Sequence, residues 1–311
     1  MSTGEAEPAI VVNDLSCRFG KTAALDQVSL QAAPGRVFGL VGENGAGKTT
    51  LIKHLLGALT PQTGHVRVLG VEPTRNPVAL LSQVGYVSED RDLPRWMRVA
   101  ELLRYTRAFY ETWDHGYAEQ LRGEFRLDPA AKVRHLSRGE LSKLCLLLAL
   151  AHRPPLLLLD EPSSGLDAVA RREILAVVIR SVAEEGRTVV FSSHLLDEVE
   201  RVADDVAMIH NGRLAFLMSM EEIKATHQRR VVRFASELDA FPLVDGVLHV
   251  EGEGKEWAVV SHGDPEETAE ALKAMGAEIL EDSVPSLDTL FVARVTGGRT
   301  LPETTQRENH G

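Results

Sequence analysis

Gly42-Glu43-Asn44-Gly45-Ala46-Gly47-Lys48-Thr49 is the stretch on which the reading of this chain turns. A glycine, four residues and then Gly-Lys-Thr is the pattern of a loop that wraps phosphate. Val37-Phe38-Gly39-Leu40-Val41 precedes it and, being short and apolar, predicts a buried strand. Thr50 to Leu56 follows it and predicts a helix closed by Gly57. Strand, glycine-rich loop and helix bring loop amides and a helix N-terminus to bear on an anion. Gly42, Gly45 and Gly47 let the backbone approach phosphate oxygens with no Cβ in the way. Lys48 is then suited to the β- and γ-phosphates, and the Thr49 hydroxyl to Mg²⁺.

The chain has 311 residues, room for one large domain with an appendage or for two domains. Its net charge of −11 argues against a nucleic-acid partner. Its two cysteines, Cys17 and Cys145, are far apart among apolar neighbours, so neither a disulfide framework nor a cysteine metal site is expected. The acidic, polar residues 1–9 read as disordered and not as a signal peptide. The most apolar region, Leu144 to Leu159, is interrupted by Arg153-Pro154-Pro155 and falls short of the ~18 apolar residues a membrane span needs. A soluble, cytoplasmic protein is expected, with any membrane role exercised through a partner.

Ile10 to Val12 and Val28 to Ala32 predict strands, and His65 to Leu69 and Val84 to Val87 two more. Phe19 lies shortly before the phosphate loop; core packing is favoured for it, with stacking on an adenine ring as the alternative. From Leu93 to Lys132 the period becomes helical. Trp96, Tyr105, Phe109, Tyr110, Trp113 and Tyr117 fall here, either as the core of a small helical subdomain or as a docking surface. Leu141 to His152 predicts a helix apolar on nearly every face, hence buried, with Ser137 and Gly139 at an N-terminal end suited to an anion. Leu156-Leu157-Leu158-Leu159-Asp160-Glu161 is a continuous apolar strand ending in two carboxylates, as in a parallel sheet whose ligands sit at the carboxyl ends of its strands. Asp160 would hold Mg²⁺ and Glu161 would polarise water. Ala168 to Glu185 predicts a helix. Arg187 to Phe191 predicts a core strand delivering Ser192-Ser193-His194. His210-Asn211-Gly212-Arg213 between two apolar runs predicts a hairpin.

The composition shifts after Ser219. Residues 219–230 read as a charged helix or linker. Short strands are expected at Val231 to Phe234, Val247 to Val250 and Trp257 to Val260. A helix capped by Asp264 and Pro265 and a strand from Ala277 to Leu280 complete a small α+β domain over 231–295. Residues 296–311 read as a disordered tail.

Residues 10–218 together resemble an ABC transporter ATPase subunit. Gly42 to Thr49 matches the Walker A motif and Leu156 to Asp160 the Walker B motif, with Glu161 at the position of the family's catalytic carboxylate. Ser164-Gly165-Leu166-Asp167 matches the D-loop, His194 the switch histidine, and Leu136 to Glu140 resembles the LSGGQ signature. The resemblance implies an α/β P-loop ATPase core with an antiparallel β subdomain and a helical subdomain over about 92–152. It implies ATP and Mg²⁺ as cofactors, with Asn44, Ala46 and Thr50 joining the glycines, Lys48 and Thr49 around the nucleotide. By it Phe19 becomes the adenine-stacking residue. It also implies two subunits sandwiching two ATPs head to tail, with Ser137 and Gly139 of one facing the phosphate loop of the other, and a separate membrane permease as partner. The chain would then be held at the inner face of the cell membrane. The signature departs from the pattern, carrying Arg138 and Glu140, and Glu89 stands where the family has a glutamine. Glu89 can still bind Mg²⁺ or orient water, although its charge opposes γ-phosphate. These variations, with Phe109 to Asp114 and the ending Pro285 to Phe291, are similar to those of type 2 ABC exporters. An alternative is a slow nucleotide-dependent switch, or the degenerate half of a heterodimer. Action on DNA or the ribosome would call for coiled coils, zinc cysteines or a second cassette, none of which is evident in the sequence.

Overall fold

The computed structural model describes residues 7–296, and the described chain divides into two units after Ser219. The disorder expected at the two ends concerns residues that mostly lie outside those described. Within them, Ala9 is buried and its carbonyl accepts from Leu69 N at 2.7 Å, so order begins before residue 10.

In the first unit β1 (Ile10–Phe19) and β2 (Thr22–Ala32) are followed by β3 (Val37–Val41), α1 (Lys48–Leu55), β4 (Thr63–Val68), α2 (Pro77–Leu81) and β5 (Val84–Val87). Next come α3 (Val99–Arg107), α4 (His115–Glu124), α5 (Arg138–Leu150), β6 (Leu156–Asp160), α6 (Ala168–Ala183) and β7 (Thr188–Ser193). The unit ends with α7 (Leu196–Val202), β8 (Asp205–His210) and β9 (Arg213–Ser219). One sheet has the order β2-β1-β4 and is antiparallel. The other has the order β5-β6-β7-β3-β8-β9, parallel up to β8, with β9 returning antiparallel.

The strands of the large sheet form where the sequence abandons alternation. Every residue of β6 and of β3 is buried, because both faces of the sheet are covered. Leu40, Leu51, Ile52, Leu156, Leu158 and Val190 share a core with Ile10, Leu15, Leu25 and Val68, which packs the antiparallel sheet over α1 and the parallel one. The register sets Asp160 beside Ser192 and Val41 beside Ser193, so three strands end together at one edge. The hairpin between β8 and β9 turns at Asn211 and Gly212, both with positive φ, and Gly212 N donates to Ala46 O at 3.0 Å, bracing the phosphate loop.

The helical stretch resolves into α3, α4 and α5. Its aromatics divide: Tyr117 is buried, Tyr110 stacks on His152 with centroids 4.0 Å apart, and Trp96, Tyr105 and Phe109 are exposed. Trp113 lines a groove with Leu103, Arg104, Arg107 and His115. Both cysteines are buried and unbridged, and burial pushes the Cys145 thiol up to about 12.

The second unit contains α8 (Met220–Thr226), β10 (His227–Leu238), β11 (Val247–His262), α9 (Pro265–Ala274), β12 (Ala277–Ser283) and α10 (Leu287–Thr296). Its antiparallel sheet has the order β11-β10-β12 around Val232, Phe234, Trp257, Val259 and Leu272. Two expectations are corrected here. The stretch 219–230, expected as a helix or linker, is helical over 220–226 in α8, and the strand expected from Val231 has already begun at His227 in β10. Arg230 hides that strand from a hydropathy reading; it is buried, paired to Asp282 at 3.1 Å and bonded to Pro265 O at 2.9 Å. The two strands expected at 247–250 and 257–260 are one, because Gly252 and Gly254 lie within β11 and do not end it.

Candidate nucleotide-binding site

The phosphate loop leaves β3 and enters α1 under tight steric constraint. Gly42 has φ 154°, and a Cβ there would stand 2.3 Å from Ile209 O. Gly47, the N-cap of α1, has φ 117°, and a Cβ there would meet Ala24 O at 2.5 Å. Backbone so close on one side leaves the amides free to face the other. The cleft on that side is lined by Ala24, Asn44, Gly45, Gly47, Lys48, Thr49, Thr50, Glu89 and Glu161. Ala46 instead turns its methyl into the core.

Lys48 is buried at the base of the cleft. Its Nζ donates to Gly42 O at 2.6 Å and Glu43 O at 3.2 Å and lies 3.2 Å from Glu161 Oε1. That last contact is an ion pair without hydrogen-bond geometry, so Oε1 keeps a lone pair for another donor. The other oxygen of Glu161 is 2.7 Å from His194 Nδ1. Glu161 adopts φ 49°, a left-handed conformation unusual for a residue with a Cβ. Lys48, Glu161 and His194 thus converge from α1, the end of β6 and the end of β7. A cation, a carboxylate and an imidazole in contact can bind a phosphoryl group, deprotonate or orient a water, and hold that carboxylate in place.

Asp160 lies one residue before, fully buried. Ser192 Oγ donates to its Oδ1 at 2.7 Å and accepts from Glu161 N at 2.9 Å. Burial raises the Asp160 carboxyl above the ordinary carboxylate range, against hydrogen bonds from Ser192 and Thr49 that lower it. Its Oδ2 is buried and receives no hydrogen bond of good geometry among the described residues. A buried carboxylate oxygen left open beside a threonine hydroxyl suits a hard cation. Among the described residues no cluster of three His, Cys, Asp or Glu side chains is placed to hold a metal. A Mg²⁺ here would therefore draw on Thr49, Asp160 and phosphate oxygens, the usual habit of that ion.

Seven predicted site residues do not line the cleft: Gly42, Ala46, Asp160 and His194, described above, and Phe19, Ser137 and Gly139. Phe19 closes β1 and is 54% exposed, which removes the core-packing reading and leaves its ring free to stack. Ser137 caps α5 in a reciprocal arrangement with Glu140: Glu140 N donates to Ser137 Oγ at 3.2 Å, and Ser137 N and Oγ donate to Glu140 Oε2 at 2.8 and 2.7 Å. Gly139 sits in the first turn, where a Cβ would come 3.1 Å from the Ala170 Cβ. Sequence reasoning missed Ser192, although the signal was available, since two serines end an otherwise apolar strand.

Fold and cleft define a P-loop nucleotide-binding cassette. The ABC transporter family model matches residues 25–164. The chain is 27% identical over 290 residues to the ABC transporter ATP-binding protein YtrB of Bacillus subtilis, covering 93% of this chain and 99% of that one. It is 30% identical over 223 residues to the bacitracin transport ATP-binding protein BcrA of Bacillus licheniformis, covering 71% of each. A solved ATP-binding subunit of an ABC transporter superposes with a TM-score of 0.64 at 29% identity, over 70% of this chain and 92% of that one. The chain belongs to the ABC transporter ATP-binding family.

Proposed function

We propose that this subunit hydrolyses Mg-ATP and drives an exporter whose membrane permease is a separate chain. The observation that carries the reading is the convergence of Lys48, Glu161 and His194 beside Asp160 at the ends of neighbouring strands. In this mechanism the loop amides and Lys48 bind the β- and γ-phosphates, and Glu161 takes the proton of the attacking water. His194 holds Glu161 in register, and Phe19 stacks on the adenine. Mg²⁺, held by Thr49 and Asp160, would neutralise charge on the leaving phosphates.

Two subunits pair head to tail, each offering the N-terminus of α5 with Ser137 and Gly139 to the other's ATP, so the nucleotide completes the interface. Hydrolysis removes the bridging phosphate and the pair opens. Exposed Trp96, Tyr105 and Phe109 on the helical part form the apolar surface through which a permease is gripped. No helix among the described residues is long and apolar enough to cross a membrane, so attachment to the inner face of the cell membrane comes through that permease. Export is supported by the likeness to the Nod factor export ATP-binding protein I of Rhizobium etli, 34% identical over 212 residues.

The test is to trap Glu161→Gln with ATP in native cells, solubilise membranes gently and identify what co-purifies. A polytopic membrane protein is the expected result; a soluble partner, ribosomes or nucleic acid alone would overturn the transporter reading. The engagement of Ser137 Oγ by Glu140 favours a second reading, a slow switch or the weaker half of a heterodimer, because that hydroxyl must turn away from Glu140 before it meets phosphate. Turnover that appears only when another ATPase subunit is added would support it.

A further inference from the structure

The loop carrying Glu161 is held by a residue outside the nucleotide motifs. Arg91 Nη2 donates to Ser164 O at 2.8 Å, to Glu161 O at 3.1 Å and to Pro162 O at 3.2 Å. Three carbonyls converging on one guanidinium nitrogen fix the path of the backbone from the end of β6 into the turn 161–164. Arg91 is half-buried, and its Nε is buried without a partner. Among the described residues its side chain is anchored through Nη2. On the other side of the same turn Ser163 Oγ bonds to Glu198, a fully buried carboxylate that also pairs with Arg171 at 2.9 Å. That side is the fixed wall.

The Arg91 side is tied to the cleft. Arg91 N donates to Ser88 O at 3.2 Å, closing a four-residue turn with Glu89 and Asp90 at its centre. Glu89 lines the nucleotide cleft with Lys48, Thr49 and Glu161. A displacement of Glu89 by an arriving phosphate or cation would therefore pull on the turn and on the guanidinium bonded to residues 161–164. Both ends of this bridge sit in left-handed backbone, Arg91 at φ 48° and Glu161 at φ 49°. Such conformations are strained for residues with a Cβ and persist where surrounding contacts impose them.

We propose that Arg91 is a positioning residue that transmits the occupancy of the cleft at Glu89 to the Glu161–Ser164 turn, so that Glu161 is set for hydrolysis only when nucleotide is in place. The inference rests on the reading of the cleft as a site of ATP hydrolysis. Its geometry also balances charge: the acidic side chain at 89 brings its own cation two residues later.

The experiment measures hydrogen exchange of the peptide spanning 160–167 with and without Mg-ATP, together with steady-state phosphate release. It compares wild type, Arg91→Met, Arg91→Lys and Glu89→Ala. In wild type, Mg-ATP slows exchange of this peptide. In Arg91→Met that response is lost while exchange elsewhere in the first unit is unchanged. The same variant loses roughly tenfold to a hundredfold in kcat, with KM for ATP held within about twofold. Arg91→Lys retains most of both, since all three bonds come from a single nitrogen. Glu89→Ala, which cuts the bridge at its exposed end, also abolishes the exchange response. An ATP response in Arg91→Met or Glu89→Ala equal to that of wild type would overturn the proposal, as would an Arg91→Met that fails in KM alone. Wild type that binds ATP without releasing phosphate would overturn the catalytic reading instead, and the exchange response would still decide whether the two segments communicate.

Discussion

Replacing Ser192 by alanine strikes the centre of the site at a residue that does not itself line the cleft. Its hydroxyl makes two bonds at zero exposure, giving a proton to Asp160 Oδ1 at 2.7 Å and taking one from Glu161 N at 2.9 Å. A hydrogen bond to an ionised carboxylate contributes about 1.5–3 kcal/mol, and a buried amide left without an acceptor costs about 1–3 kcal/mol. The two overlap, since both belong to one group, so the loss is taken as about 3 kcal/mol. For a unit of this size, with a urea m-value near the upper end of about 1–3 kcal/mol/M, the unfolding midpoint should fall by roughly 1 M. Ser142→Ala is the internal control. It too is a buried serine, but its hydroxyl only donates to Arg138 O one turn back at 3.1 Å, a bond that contributes little or nothing to a helix. Urea unfolding followed by circular dichroism, on both variants without nucleotide, gives the comparison. A Ser192→Ala midpoint shift no larger than that of Ser142→Ala would refute the claim that this hydroxyl organises the Asp160–Glu161 pair.

Gly42→Ala places a methyl against Ile209 O and forces φ 154° on a residue with a Cβ, so Tm should fall by several degrees, about 3 kcal/mol or more, with loss of ATP binding; thermal melts and nucleotide titration check both. Phe19→Ala should weaken ATP roughly fivefold to tenfold, about 1 kcal/mol of stacking, while stability changes by less than about 0.5 kcal/mol, because the ring is largely exposed. Burial drives His152 down to about 4, so between that value and the ordinary one near 6.5 the unfolded chain holds a proton that the folded chain does not. Stability from this group is full above about pH 6.5 and is lost as pH falls toward 4, by up to about 3 kcal/mol, and His152→Gln should flatten that part of a stability-against-pH curve.

Much of the core was legible because its signals are strictly local. The phosphate loop announces itself by glycines whose Cβ positions are filled by Ile209 O and Ala24 O, and β6 by a leucine run that only a strand covered on both faces explains. The convergence of Glu161 with His194 was legible as two strand ends, since parallel neighbours place their carboxyl ends together. What escaped was long-range pairing. Arg91 reaches a turn some seventy residues away, and nothing in Ser88-Glu89-Asp90-Arg91-Asp92 distinguishes it from a solvated charge cluster. Arg230 gives no local sign of burial, because its partners, Asp282 and Pro265, lie far along the chain. Glu198, fully buried on α7, was overlooked for the same reason: a buried charge reads as a surface one until its partners Arg171, Ser163 and Ser193 are known.

The central claim is that Glu161, fixed between Lys48 and His194, activates water against bound ATP. Phosphate release by purified wild type and Glu161→Gln at saturating Mg-ATP, with ATP affinity measured in parallel, tests it most directly. The account predicts that Glu161→Gln binds ATP as tightly as wild type within about threefold and releases phosphate on the order of a hundredfold more slowly. Equal turnover by the two proteins would contradict it and would move the hydrolytic chemistry away from this carboxylate.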